Sequence, residues 1–270
     1  MYKRQEQDRL ELSLHLIENL AKRKDLKDWS GLGLAIQAYG KRAPVVVKLV
    51  DELGANRNGM MMRLVKGAYW DQEIKIHQIK GAEDLPVFTS KSFTDINYLS
   101  TAKIISETKN LRPYFATHNA HTIAAIMELY KGREDKFEFQ RIFGMGDLTY
   151  RNAEKVYDIF PLTRVYAPVG SKKELLPYLV RRLLENGANS SFVNKYLSKD
   201  IPVKDVVKNP IEIASKNLKE QNYLTQVPRP KNIFSDRENS AGFDFGDLMK
   251  IDDLAVSYTH LRAHETKANL

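Results

Sequence analysis

Four side chains in the second half of the chain have the types and spacing of an anion-binding helix face. They are Tyr178, Arg181, Arg182 and Glu185. Offsets of three, four and seven place a phenol, two guanidinium groups and a carboxylate on one helix edge. Two guanidinium forks can hold a substrate carboxylate through charge-assisted hydrogen bonds that contribute roughly 1.5–3 kcal/mol each. The alternative interpretation is a solvated face with an Arg181–Glu185 ion pair.

A second set of polar residues follows the predicted strands. At or just beyond the strand ends lie Gln37, Arg63, Lys66, Gly67, Ala68, Tyr69, Trp70, Thr89, Lys91, Thr117, His118, Asn119 and Tyr166. In parallel α/β proteins the carboxyl ends of the strands converge, and helix N-termini present free N–H groups there. Cations, amides and hydroxyls in such a place suit a large anionic ligand with a flat ring system, such as a flavin dinucleotide.

Single members of this set are ambiguous when taken alone. His118 has no second histidine or carboxylate at metal-ligand spacing, so no metal site is predicted, and a histidine satisfied within its own loop is the alternative. Gly144 and Gly146 form a weak signal, because glycine pairs after strands more often ease a turn than cradle a phosphate. Lys66 does not follow a glycine-rich loop with the spacing of a Walker phosphate-binding motif, so it is also an unspecific signal.

Strands and helices must position these residues. The hydrophobic periodicity alternates between strand-like and helix-like segments from about Asp8 to Gly187. Six strands are predicted, at Leu32–Ala38, Met60–Val65, Val87–Thr89, Pro113–Ala116, Phe137–Phe143 and Thr163–Ala167. One predicted helix contains Ile74 and His77. Six others cover Leu10 to Ala21, Pro44 to Gly54, Phe93 to Lys109, Ala120 to Leu129, Ala153 to Ile159 and Ser171 to Gly187. The last begins with a capping box formed by Ser171 and Glu174. Periodicity alone leaves an incomplete barrel and an open doubly wound sheet as alternatives.

Composition and the remaining sequence set further limits. The chain has 270 residues, no cysteine and a formal charge of +8, with basic residues scattered among acidic ones. Disulfides and thiolate metal sites are thereby excluded, and the charge by itself is a weak indication of nucleic-acid binding. No apolar stretch approaches the roughly 20 residues that span a bilayer. Beyond about Leu197, prolines interrupt the pattern, which predicts a linker with one helix at Pro210–Glu220.

Several sequence strings together resemble proline dehydrogenase. They are RLVKGAYWDQEIK from Arg63, FATHNAHTIAAI from Phe115, FQRIFGMG from Phe139, VYAPVG from Val165 and YLVRRLLENGANSSFVN from Tyr178. The likeness is greatest to the proline dehydrogenase domain of the bifunctional proline utilisation A flavoenzymes, and it runs from about Glu6 to Phe245. The string RPKNIFSDRENSAGFDF resembles the connector that leads, in those proteins, to an NAD-dependent aldehyde dehydrogenase domain.

The resemblance implies a distorted (βα)8 TIM-like barrel with FAD across the carboxyl ends of its strands. It implies oxidation of L-proline to 1-pyrroline-5-carboxylate by hydride transfer from C5 to flavin N5, with electrons passed to a quinone. The implied substrate residues are Arg181, Arg182, Tyr166, Tyr178, Tyr69, Ile142 and Glu185. The implied FAD residues are Gln37, Arg63, Val65, Lys66, Gly67, Ala68, Trp70, Thr89, Lys91, Thr94, Thr117, His118 and Asn119. A cytoplasmic protein, peripheral to the inner membrane through its quinone, is expected.

The sequence departs from the family at both ends. We expect a foreign start at residues 1–5, a partial barrel of six strands at 6–196, a linker toward an aldehyde dehydrogenase domain at 197–256, and a foreign tail at 257–270. Lys3 stands approximately where the family has an aspartate. A barrel short of two strands has unpaired edges, which predicts weak FAD retention and little turnover. The alternatives are a catalytically silent barrel and part of a DNA-binding repressor, although the DNA-binding segment of such repressors is not in this sequence.

Overall fold

The computed structural model of the chain describes residues 7–187, 202, 209–220, 227–243 and 248–268. The predicted foreign start at residues 1–5, including Lys3, lies outside this part of the chain. The described strands are β1 Gly33–Gln37, β2 Met60–Val65, β3 Leu111–Ala116, β4 Glu138–Ile142 and β5 Thr163–Tyr166. They form one parallel sheet in the order β1-β2-β3-β4-β5. A doubly wound sheet reverses its strand order at a switch point, whereas this order advances in one direction as in a barrel.

Helices connect the strands and extend beyond them. Those described are α1 Leu10–Ala21, α2 Ala43–Ala55, α3 Trp70–Ile79, α4 Lys91–Glu107, α5 Ala120–Leu129, α6 Asp147–Val156, α7 Lys172–Gly187, α8 Pro210–Lys219 and α9 Leu248–Ala268. No helix of the described chain is long and apolar enough to cross a membrane. The first seven correspond in order to the seven predicted helices, but α3 and α4 both follow β2 without a strand between them.

The two faces of the sheet differ in polarity. On one face Leu34, Met62, Leu64, Phe115 and Phe139 are almost completely buried and belong to the main hydrophobic core. Because side chains alternate along a strand, the other face carries the residues between them. The register there aligns Ala35, Arg63, Tyr114 and Glu138 across four strands. Helix packing therefore stabilises one face and leaves the other free for polar groups.

The predicted strand at Val87–Thr89 is wrong, and five strands instead of six are described. Val87 forms only an isolated antiparallel bridge with Gly40, next to the hydrogen bond from Phe88 N to Tyr39 O at 2.8 Å. β2 pairs directly with β3, so no further strand lies between them. Val87 is buried in a small cluster with Tyr39, Ile74 and Leu85. Its apolar character reflects that cluster and not a place in the sheet.

Helix ends follow local capping. The capping box that opens α7 is confirmed: Ser171 Oγ accepts from Glu174 N at 3.4 Å, and the Glu174 carboxylate accepts from Ser171 N at 2.9 Å. The helix predicted at Ala153–Ile159 begins earlier, because Gly146 with φ +72° forms its N-cap and Asp147 occupies its first turn. Tyr157 is extended, which ends α6 before Ile159.

The segment predicted as a linker packs on the barrel helices. Pro210 and Ala214 of α8 are buried, α8 packs on α4, and Asn217 Nδ2 donates to Ser90 Oγ at 3.4 Å. Farther along, the backbone N–H of Gly242 donates to Gly81 O at 2.8 Å. α9, the second described helix of this C-terminal region, is not predicted by the sequence, because its apolar residues do not form a periodic stripe.

The buried contact of α8 can be tested at one small side chain. Ala214→Asp places a carboxylate at a site that is 3% exposed, and we expect a loss of about 3 kcal/mol in unfolding free energy from an unpaired buried charge. Ser215→Asp makes the same change at the neighbouring exposed position and should cost less than about 0.5 kcal/mol. Thermal unfolding measures both. Equal melting of the two variants would mean that α8 does not pack on α4.

Candidate active site

The predicted site residues lie around one edge of the sheet. Gln37, Val65, Ile142 and Tyr166 are the last residues of β1, β2, β4 and β5. Residues 66–69 lead from β2 into α3, and residues 117–119 lead from β3 into α5. Because all five strands are parallel, these carboxyl ends share one edge, as the sequence predicted.

Arg63 and Tyr166 form the most direct contact across this edge. Arg63 is 7% exposed, its Nη2 donates to the Tyr166 hydroxyl at 2.6 Å, and its guanidinium carbon lies 4.9 Å from the ring centroid. Arg63 Nε is buried and has no hydrogen-bond partner within the described part of the protein. A buried guanidinium donor in this position favours an acceptor supplied by a ligand.

The β2–α3 loop turns back on β1. Ala68 N donates to Gln37 Oε1 at 3.4 Å, and Trp70 Nε1 donates to Phe88 O at 2.7 Å. Gly67 has φ +131°, and a Cβ there would lie 2.0 Å from the ring of Tyr39. Only glycine suits that combination of backbone angle and space. The loop therefore approaches the site with its backbone.

Lys66 follows β2 and pairs with Asp95 of α4. The two side chains are 24% and 21% exposed, so the pair is largely removed from water. The Lys66 ammonium also lies 6.0 Å from the ring centroid of Tyr98. Sequence reasoning selected Lys66 but missed Asp95, whose only signal was that a cation inside a site commonly has a counter-charge.

His118 is held as a neutral ring. Its Nε2 accepts from Ile142 N at 3.4 Å, which leaves the proton on Nδ1. Burial, followed by the positive charges of Arg182, Arg141 and Arg63, lowers the pKa of His118 to about 4. At neutral pH the ring is therefore an uncharged neighbour of three guanidinium groups. The influence of Arg182 also places α7 near the end of β3.

Thr117 and Asn119 support the loop that carries His118. Asn119 Oδ1 accepts from Thr122 N at 3.1 Å as the N-cap of α5, and Thr117 Oγ1 accepts from Asn119 N at 3.1 Å. Tyr150 donates its hydroxyl proton to Thr117 O at 2.9 Å. These bonds fix the loop, and the predicted ligand role of the two side chains stays a prediction.

The two arginines of α7 lie against aromatic rings instead of projecting into bulk water. The guanidinium carbon of Arg181 is 5.7 Å from the Tyr69 ring centroid, and that of Arg182 is 5.5 Å from the Tyr178 centroid. Both side chains are half-buried. The contact with Tyr69 joins α7 to the β2–α3 loop. The side chain of Glu185 lies outside the described residues, so its predicted place stays a prediction.

The remaining predicted residues lie at the N-terminus of α4. Thr94 is buried, Thr89 is half-buried and Lys91 is exposed. The hydroxyls of Ser90 and Ser92 beside them are 2.9 Å apart. Lys91 and Thr94 belong to the first turn of α4, and Thr89 comes just before it, so their predicted ligand role stays a prediction.

Sequence reasoning missed charged groups that brace β4 and β5. Arg141 pairs with Asp147 at 2.5 Å, and its guanidinium lies 5.8 Å from the Tyr150 ring centroid. Arg164 donates twice to the Glu138 carboxylate at 2.9 Å, one layer of side chains before Tyr166. Arg141 stood within the FQRIFGMG string, but the sequence alone did not show that its side chain would reach the site. Within the described chain, no group of three or more His, Asp or Glu residues is placed to hold a metal ion.

The neutral state of His118 predicts a pH-dependent stability. The unfolded chain, in which the histidine pKa is near 6.5, binds a proton between pH 6.5 and 4 that the folded chain does not. Unfolding free energy should therefore fall by about 3 kcal/mol as pH falls through this window, from this group alone. Denaturant unfolding of wild type and His118→Gln at pH 7 and pH 4.5 measures the difference. An equal pH dependence in both proteins would contradict it.

Comparison with known proteins gives one consistent result. The family described as proline dehydrogenase matches residues 4–195. The bifunctional protein PutA of Klebsiella aerogenes is 43% identical over 279 residues, covering 98% of this chain and 21% of that protein. That of Salmonella typhimurium is 44% identical over 266 residues, covering 93% of this chain and 20% of that protein. The chain thus spans about a fifth of the length of these curated relatives.

A solved structure supports the same assignment of the fold. A crystal structure of a mutant of Bradyrhizobium japonicum proline utilization A (PutA) superposes with a TM-score of 0.83 at 45% identity, covering 92% of this chain and 25% of that one. The predicted TIM-like barrel class is confirmed. The described residues contribute five of its parallel strands.

Proposed function

Because this chain belongs to the proline dehydrogenase family, we propose that its candidate site oxidises L-proline to 1-pyrroline-5-carboxylate with bound FAD. The observation that carries the proposal is the position of Arg181 and Arg182 on the rings of Tyr69 and Tyr178. A ring face attracts a guanidinium without neutralising its charge. Two neighbouring guanidinium groups held in this way would attract an anionic substrate.

The two guanidinium groups would bind the proline carboxylate. Consecutive positions on α7 place them side by side, and planar forks match the two oxygens of a carboxylate. Half-burial makes each contact stronger than it would be at a fully exposed position. The carboxylate is thereby the group by which the substrate is oriented.

Aromatic and aliphatic side chains would enclose the pyrrolidine ring. Tyr69, Tyr166 and Tyr178 are half-buried, and Ile142 is buried at the end of β4. The Tyr166 hydroxyl is fixed by the 2.6 Å hydrogen bond from Arg63, so its ring has little freedom. A fixed phenol at this wall would crowd a hydroxylated ring, which favours proline over hydroxyproline. Glu185 would orient the arginines.

Residues of the candidate site fit the chemistry of a flavin dinucleotide. Arg63 offers a buried Nε donor, and the β2–α3 loop brings backbone close to the site at Gly67. FAD would be held by Gln37, Arg63, Val65, Lys66, Gly67, Ala68 and Trp70, with Thr89, Lys91, Thr94, Thr117, His118 and Asn119. When bound, FAD supplies the two-electron acceptor that oxidation of a C–N bond requires.

The protein groups need not remove a proton from carbon. Proline must react as the neutral amine, because the nitrogen lone pair assists loss of hydride from C5. The positive charges of Arg182, Arg141 and Arg63 around His118 would disfavour a further positive charge there, such as a substrate ammonium. Substrate orientation and charge are therefore the chain's proposed contributions to catalysis.

The surroundings of this activity are part of the proposal. The relatives are named bifunctional, and an aldehyde dehydrogenase domain is proposed downstream in a parent chain. A quinone would reoxidise the flavin, in a cytoplasmic protein with peripheral contact to the inner membrane. Weak FAD retention is proposed for the 270-residue chain, since Leu162 and Val165 at β5 are 65% and 42% exposed.

Replacing the α7 arginines tests the carboxylate clamp. With excess FAD and no oxygen, proline should bleach the flavin absorbance of the wild type, slowly if retention is weak. Arg181→Lys and Arg182→Lys should each raise the half-saturating proline concentration by about tenfold or more, because each loses a bidentate fork. Titration of flavin bleaching measures this.

Two controls accompany the titration. Arg133→Lys makes the same change where a guanidinium lies 5.1 Å from the Tyr130 ring, away from the site, and should titrate as wild type. Pyrrolidine, which has no carboxylate, should bleach the flavin of none of the proteins at comparable concentrations. Wild-type protein that binds no FAD, or α7 variants with unchanged proline dependence, would refute the proposal.

A further inference from the structure

The first turns of α4 hold the carboxyl ends of β1 and β2 from outside the sheet. Asn97 Nδ2 donates to Ala38 O at 2.8 Å and to Gly40 O at 3.3 Å, just beyond β1. The Tyr98 hydroxyl donates to Leu64 O at 3.4 Å, within β2. Asp95 pairs with Lys66, the residue after β2. One helix thus contacts the backbone and one cation of the candidate site.

The described contacts of Lys66 differ from those of the other site cations. Arg63, Arg181 and Arg182 lie near tyrosine rings, and a ring contact does not cancel the charge of a guanidinium group. Lys66 has a carboxylate partner, and each side chain is about three-quarters buried. Partial burial makes such a pair stronger than an exposed one and lowers the freedom of the long lysine side chain. The ring of Tyr98 restricts the position of the Lys66 ammonium from a second side.

We infer that Asp95 is a positioning residue, which fixes the Lys66 ammonium at the end of β2 and cancels most of its charge within the site. Asp95 acts through Lys66 and does not itself contact the substrate. With its position fixed and its charge balanced by Asp95, the Lys66 ammonium remains beside the proposed flavin position. It then does not compete with Arg181 and Arg182 for the substrate carboxylate. The inference rests on the proposed function only for the identity of the ligand that Lys66 meets.

The positional part of the inference can be measured without flavin. Reductive methylation with formaldehyde, followed by mass spectrometry of peptides, gives the reaction rate of each lysine amine. In the flavin-free wild type, Lys66 should react more slowly than Lys41, whose pair with Asp84 is more exposed at 39% and 56%. Asp95→Asn should speed the reaction of Lys66 by about tenfold, because the ammonium loses a partly buried, charge-assisted partner. Asp95→Glu, which keeps the charge, should restore slow reaction.

A matched control removes the same kind of carboxylate at the surface. Asp84→Asn frees Lys41 and should change the rate of Lys41 by less than about threefold, while leaving Lys66 unchanged. The inference is overturned if Lys66 reacts as fast as Lys41 in the wild type, or if Asp95→Asn leaves the Lys66 rate unchanged. The first comparison needs no variant, so it remains decisive if Asp95→Asn does not fold.

Adding FAD to the wild type separates this inference from the proposed function. Protection of Lys66 by FAD supports both the flavin site and the role of Lys66 in it. If FAD protects no lysine of the site while Asp95→Asn still releases Lys66, the proposed flavin site fails and the positional role of Asp95 stands. If FAD protects Lys66 but Asp95→Asn has no effect on flavin-free protein, the positional role fails alone.

Discussion

Guanidinium groups stacked on tyrosine rings are the interaction on which the candidate site depends. Arg63 lies on Tyr166, Arg181 on Tyr69 and Arg182 on Tyr178. A carboxylate in place of each ring would fix the arginine equally well but would cancel its charge. A ring contact orients a guanidinium group without cancelling its charge, so the group can still attract an anion. Burial, together with the charges of Arg182, Arg141 and Arg63, lowers the pKa of His118, so the site combines several cations with an uncharged histidine.

Such a concentration of charge requires support from the rest of the fold. The apolar face of the sheet packs on the helices, and Leu34, Leu64, Phe115 and Phe139 form part of that core. The opposite face can then carry Arg63, Glu138 and Arg164 without loss of packing. The Glu138–Arg164 pair joins β4 to β5 below Tyr166, and the short β5 strand needs this link because its side chains bury little surface. Polar contacts and apolar packing thus stabilise different faces of one sheet.

Segments distant in sequence contribute to the same edge. α4 contacts β1, β2 and Lys66, and α8 packs on α4 from beyond the matched family range of residues 4–195. Residues 227–243 contact Gln78 of α3 and Gly81 just after it, and α3 begins at Trp70 beside Tyr69. The region predicted as a linker is therefore partly a support for the helices that border the site. The contribution of its described residues is packing and hydrogen bonds.

The sequence by itself determined five strands, the bounds of α5 and the capping box of α7, because hydrophobic period and capping chemistry act within a few residues. Through the family resemblance it also predicted roles for Arg63, His118, Arg181 and Arg182, for which local pattern alone left alternatives open. Only the tertiary structure showed that Val87 belongs to a side cluster, that Asp95 pairs with Lys66 and that α8 packs on α4. Each of these depends on residues tens of positions apart that meet in space. Local pattern carries no information about such pairs, since a carboxylate or a valine has the same sequence signature whether its partner is water, a helix or a strand.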